Sequence, residues 1–152
     1  MIEIQEMTAA DVADIAALER LCFSAPWSEN SIAEELETGF SLWLVARLDG
    51  AFAGYVGAQL VPPEADMMNL AVVPELRRRG TAQALLQALQ ERLAARGIGM
   101  IHTVSGVGFA RDLDVDLERF FARGITNGMQ MRVFMQTLDV NKAVKRKLPR
   151  IG

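Results

Sequence analysis

Apolar and polar residues alternate from the start of the chain, in Ile2-Glu3-Ile4-Gln5-Glu6, and a period of two predicts a short strand. The period then lengthens. Val12, Ile15, Leu18 and Cys22 fall on one stripe of a helix over 9–22, with Thr8 as its N-cap and Asp11 in its acidic first turn. Pro26 disfavours continuation of that helix, Ser28 can cap a second one, and Gly39 can end it. Residues 41–61 hold two strand-like runs split by Asp49-Gly50, a strong hairpin signal. After Pro62-Pro63, a further apolar run predicts a strand over about 66–73.

The clearest helix covers 81–95. Ala82, Leu85, Leu86, Leu89 and Leu93 form its apolar face, and Gln83, Gln87 and Gln90 are expected to lie away from it. Gly97 can terminate this helix, and residues 98–104, "IGMIHTV", read as another strand. Beyond Gly106, the spacing of Leu113, Leu117, Phe120 and Phe121 predicts a helix stopped by Gly124. Residues 129–138, "MQMRVFMQTL", supply one more strand. The order is strand, two helices, three strands, helix, strand, helix, strand, which predicts an α/β (α+β) domain with a mixed central sheet flanked by helices.

The chain's 152 residues suit one core, and 51% hydrophobic with 23% charged residues excludes a disordered chain. No apolar run reaches the length of a membrane span, and no basic-then-apolar leader is present, so a cytoplasmic protein is expected. The single cysteine, Cys22, cannot bridge internally and reads as a small hydrophobe at a helix end. A net charge of -3 hides an asymmetry: residues 1–38 carry nine acids and one base, whereas 140–150 carry five bases and no acid. The predicted organisation is a domain over 1–139 followed by a basic tail, 140–152. Acidic surface in the first part suits a basic partner. No metal and no direct nucleic-acid contact are assigned.

The junction "VPELRRRGTA", residues 73–82, lies between a predicted strand and the clearest helix. The first N–H groups of a helix lack intrahelical acceptors, so such an entrance can hold phosphate. Gly80 permits close approach, while Arg77, Arg78 and Arg79 add positive charge. An ordinary solvated turn remains the alternative on local chemistry alone.

In its strand–turn–helix setting, Arg77-Arg78-Arg79-Gly80-Thr81-Ala82 resembles the acetyl-CoA signature of the GCN5-related N-acetyltransferase superfamily: Arg or Gln, two variable residues, Gly, one variable residue, then Gly or Ala. "CFSAPWS" (22–28), "LVARLDGAFAGYVG" (44–57) and "EADMMNLAVVPELRRRG" (64–80) are similar to the RimI family, which acetylates the N-terminal alanine of ribosomal protein S18. The match runs over about residues 2–99. It implies the superfamily's fold, acetyl-CoA as donor, a pyrophosphate against the backbone from Arg78 to Ala82, and pantetheine beside Leu70, Ala71 and Val72. It also implies a protein or peptide N-terminus as acceptor, with ribosomal protein S18 foremost. Acids such as Glu29, Glu34, Glu35 and Glu37 would steer a basic N-terminal peptide, with ordinary helix-surface charges as the alternative.

The chain departs from that family where protons are moved. Val104 stands at the position of its glutamate and Phe120 at that of its tyrosine, and neither side chain transfers a proton. Asp66 is the leading replacement base, because it matches the strand position where histone acetyltransferases of the superfamily carry a glutamate. Glu64, His102 and Tyr55 are weaker candidates. Met67 and Met68 read as core, and Asn69 as either part of a hydrogen-bond network or a residue facing a helix end. A non-catalytic CoA-binding or protein-interaction domain of the same fold is the competing expectation.

Overall fold

A computed structural model describes residues 1–103 and the strand at 130–133. Its six strands are β1 (Ile2–Glu6), β2 (Ser41–Leu48), β3 (Ala51–Val61), β4 (Glu64–Val72), β5 (Met100–Thr103) and β6 (Gln130–Val133). They form one sheet in the order β1-β2-β3-β4-β5-β6. The first four pair antiparallel, whereas β4–β5 and β5–β6 are parallel. The mixed sheet expected from the pattern is present.

Local chemistry accounts for the connections. Asp49 (φ 53°) and Gly50 (φ 88°) both take the left-handed conformation that a two-residue hairpin between β2 and β3 needs. Thr8 Oγ1 accepts from the Ala10 N–H while Asp11 Oδ2 accepts from the Thr8 N–H, a reciprocal cap. It opens a 3-10 turn over Ala9–Asp11 that leads into helix α1 (Val12–Cys22). Ser28 Oγ accepts from the Ser31 N–H and caps helix α2, Glu29–Glu35. This helix ends before Gly39, which serves instead at φ 75° in the turn into β2.

Helix α3 (Thr81–Ala95) closes with Gly97 at φ 82°, the Ile98 N–H bonding the Leu93 carbonyl and the Gly97 N–H that of Ala94. That pair of bonds is a Schellman stop.

The two faces of the sheet carry separate cores. Leu85, Leu86, Leu89 and Leu93 of α3 pack with Leu42, Leu44, Val56, Met67 and Leu70 on one face. Val12, Ile15 and Leu18 of α1 and Ile32 of α2 pack with Trp43, Val45, Tyr55 and Ala71 on the other. Residues on β4 therefore choose a side by alternation. A register shift interrupts the alternation: Gly57 pairs with Asn69 but Ala58 with Met67, so Met68 is the extra residue of a bulge.

Two expectations need correction here. Gln90 is not on the outer face of α3; it is 1% exposed, because it lies four residues after Leu86 and three before Leu93, within the apolar stripe. Met67 is core, but Met68, displaced by the bulge, is only half-buried. The expected helix around Leu113–Phe121, the positions Val104 and Phe120, and the basic tail 140–152 lie outside the described residues. Among the described residues, no helix is long and apolar enough to cross a membrane.

Candidate functional site

The turn between β4 and α3 is built around two left-handed residues, Arg78 (φ 66°) and Gly80 (φ 84°). A 3-10 turn over Pro74–Leu76 leads into it. Gly80 is the N-cap of α3, and no side chain caps the helix. Among the described residues, nothing accepts from the N–H groups of Thr81, Ala82 and Gln83, and the first intrahelical bond runs from Ala84 to Gly80. These are the open donors of a fifteen-residue helix. A Cβ built on Gly80 meets nothing within 4 Å among the described residues, none of which blocks the approach to these donors there. Thr81 Oγ1 is buried beside them and has no hydrogen-bond partner among the described residues. The arrangement suits an anionic group seated on the backbone.

The three arginines differ. Arg78 and Arg79 are exposed. Arg77 instead turns back onto the fold: its Nε donates to the Val72 carbonyl at 3.0 Å and its Nη2 reaches Cys22 Sγ at 3.5 Å. Arg77 thus ties the end of β4 to the end of α1 and shapes the turn. Burial pushes the Cys22 thiol above its ordinary value, opposed by the charge and hydrogen bond of Arg77.

Beside the turn lies the β5-facing edge of β4. Among the described residues, parallel pairing with β5 covers Glu64 to Met67. On that side Leu70, Ala71 and Val72 have no strand partner among the described residues, although β3 pairs them on the other. Their backbone groups are what an amide-bearing ligand arm needs for strand-like hydrogen bonds.

Asp66 is exposed on the α1/α2 side of β4, between Gln59 of β3 and His102 of β5 in the register. His102 Nε2 lies 2.7 Å from Glu64 Oε1, with the imidazole 17% and the carboxylate 53% exposed. Asp66, Glu64 and His102 therefore gather at one end of the parallel pair. Tyr55, by contrast, is fully buried in the α1/α2 core.

A buried polar network underlies the same side, and its centre, Glu19, is absent from the residues that the pattern singles out. Glu19 is 0% exposed. Its carboxylate accepts from the Trp27 N–H at 2.8 Å, from Asn69 Nδ2 at 2.6 Å and from the Tyr55 hydroxyl. Burial raises its pKa, against the lowering effect of the Trp27 and Asn69 hydrogen bonds. Of the two readings of Asn69, the network is the one found. A sequence signal did exist: Glu19 lies four residues after Ile15, on the buried stripe of α1. Glu35 has a comparable structural role, accepting from Ser41 Oγ at 2.6 Å and, at 3.3 Å each, from Trp43 Nε1 and Gln59 Nε2. Glu29, Glu34 and Glu37 remain as exposed acids on and after α2.

Residues 12–122 match the model of the acetyltransferase (GNAT) family. A Bacillus subtilis protein, named as a candidate ribosomal protein bS18-alanine N-acetyltransferase, is 30% identical over 89 residues, covering 58% of this chain and 59% of the relative. The chain thus spans about three fifths of that curated relative's length. The crystal structure of the Escherichia coli ribosomal-protein-S18-alanine N-acetyltransferase superposes with a TM-score of 0.60 at 29% identity, over 65% of this chain and 63% of that one. The paiA N-acetyltransferase of Thermoplasma acidophilum, solved with coenzyme A, shares the fold, with a TM-score of 0.54 at 17% identity over 64% of this chain and 75% of that one.

Proposed function

This chain belongs to the acetyltransferase (GNAT) family, and from that premise we propose that it transfers the acetyl group of acetyl-CoA to the N-terminal amine of a protein or peptide. The N-terminal alanine of ribosomal protein S18 is the leading acceptor, on the likeness to the two enzymes named for that substrate. The observation that carries the proposal is the uncapped N-terminus of α3 beside the Leu70–Val72 edge of β4, which has no strand partner on its β5 side among the described residues. Together they offer backbone donors to a diphosphate and a strand edge to a chain bearing amides.

In this reading the N–H groups from Arg78 to Ala82 hold the pyrophosphate, Gly80 leaves room for it, and Arg78 and Arg79 add a screened attraction. Arg77 supports the turn from behind. Leu70, Ala71 and Val72 line the pantetheine arm. The thioester, when bound, supplies an activated acyl carbon and a thiolate leaving group. The acceptor approaches over the α1/α2 side, where Asp66 lies exposed and Glu29, Glu34 and Glu37 favour a basic peptide.

The neutral amine forms the new C–N bond as the C–S bond breaks. Asp66 takes the amine proton, directly or through water, and solvent protonates the thiolate. Holding amine and thioester together supplies much of the remaining rate.

Asp66→Asn keeps size and removes the proton-accepting charge. The expected result is acetyl-CoA affinity like that of the wild type, with transfer reduced about a hundredfold or more. Transfer untouched by the substitution discards Asp66 as the base. Acetyl-CoA binding without transfer by the wild type favours a CoA-binding or interaction domain instead.

A further inference from the structure

A carboxylate at position 19 contributes nothing to apolar packing, yet it is sealed inside the α1/α2 core. Only converging donors make such a group tolerable. Those donors come from three parts of the chain: the Trp27 backbone in the segment joining α1 to α2, Tyr55 on β3, and Asn69 immediately after the β4 bulge.

The strands do not depend on Glu19, since Tyr55 pairs with Ala71 and Gly57 with Asn69 in the β3–β4 ladder. The segment from Phe23 to Ser28 has no such ladder. It is held by the Phe23 N–H on the Glu19 carbonyl at the end of α1, by Phe23 and Trp27 packing on the α1/α2 core, by the Trp27 N–H on the Glu19 carboxylate, and by the Trp27 ring, which packs edge-on against Trp43 at 5.2 Å. Trp43 in turn stacks on Tyr55 at 5.7 Å.

We propose that Glu19 is a positioning residue: it fixes the Phe23–Ser28 segment against the bulged part of β4 and thereby sets affinity for the acceptor rather than for acetyl-CoA. None of its three donors belongs to the Arg78–Ala82 turn, so the proposed pyrophosphate seat makes no direct contact with it, and the β3–β4 ladder holds Leu70–Val72 without it. The acceptor half of this proposal rests on the acetyl-transfer reading; the anchoring half does not.

Both tryptophans of the chain sit at this junction, so intrinsic fluorescence reports the anchoring without any activity. Glu19→Gln mispairs an amide with Asn69, and Tyr55→Phe deletes only a hydroxyl and serves if the first variant folds poorly. Emission should shift to longer wavelength and acrylamide quenching should rise in Glu19→Gln, with a smaller change of the same sign in Tyr55→Phe. The acceptor KM for an alanine-starting peptide should rise about tenfold, as the loss of a charged hydrogen bond implies, while acetyl-CoA affinity stays within about twofold. Unchanged emission in both variants overturns the anchoring. Equal losses of acceptor and acetyl-CoA affinity overturn the assignment to the acceptor side. A wild type that transfers to no acceptor removes the functional reading and the acceptor half with it, and the emission shift then decides the anchoring alone.

Discussion

Asn69 Nδ2 donates to Glu19 Oε2 at 2.6 Å across 50 positions of sequence, joining the middle of β4 to the buried side of α1. The contact places an ionisable group in the core of the domain, against the strand that carries the proposed site. It has a consequence for stability that is separate from any activity.

Burial raises the Glu19 pKa, so the folded chain keeps this proton to higher pH than the unfolded chain, where a glutamate titrates near ~4.3. The group's favourable contribution is therefore complete below that unfolded value and is lost as pH rises through the raised folded value. Glu19→Gln does not titrate. Thermal melts of both proteins from acid to neutral pH should show the wild type losing ground to the variant as pH rises. A constant difference in Tm across that window contradicts the account.

Gln90 should be improvable. Both of its side-chain polar atoms are buried without partners among the described residues, and its neighbours on the stripe are leucines. Gln90→Leu removes the unsatisfied groups at similar volume, and a gain of about 1–2 kcal/mol in unfolding free energy is expected by urea titration. A loss shows that the amide is satisfied in solution.

Gly57 is held small by an aromatic ring. A Cβ there would lie 2.6–2.9 Å from three atoms of the Trp43 indole, which stacks on Tyr55 and bonds Glu35. Gly57→Ala should cost about 1–3 kcal/mol, as overpacking does, with altered tryptophan emission. Wild-type stability in the variant rules out this close approach.

Gly80 is different, since its Cβ position is open and only its backbone is special. At φ 84° a β-branched residue is strained, and its side chain would stand in the approach to the helix donors. Gly80→Val should weaken acetyl-CoA binding at least about tenfold by calorimetry, against roughly 1–2 kcal/mol of lost stability. Intact affinity places the diphosphate elsewhere.

The fold was legible where local chemistry and periodicity agree. Thr8 with Asp11, Asp49 with Gly50, and the leucines of α3 each state one structure in a few residues. The turn that opens α3 was legible for the same reason, because its glycine and its helix entrance are neighbours in sequence. The roles of Glu19, Glu35 and Gln90 were not: stripe spacing signals burial for Glu19 and Gln90, but what surrounds each side chain comes from other elements. The donors that make Glu19 a network centre, Tyr55 and Asn69, arrive from β3 and β4. Arg77 likewise reads as one of three equal cations, and only the folded turn directs it to Val72 and Cys22.

Acetyl transfer to an N-terminal amine is read out by mass spectrometry of an alanine-starting, S18-like peptide incubated with protein and acetyl-CoA. An N-terminally blocked copy and a panel of small amines run beside it. One acetyl group is expected on the free N-terminus, none on the blocked peptide, and little on the small amines. Transfer confined to small amines contradicts the acceptor assignment, and acetyl-CoA binding with no acetylated product contradicts the enzyme.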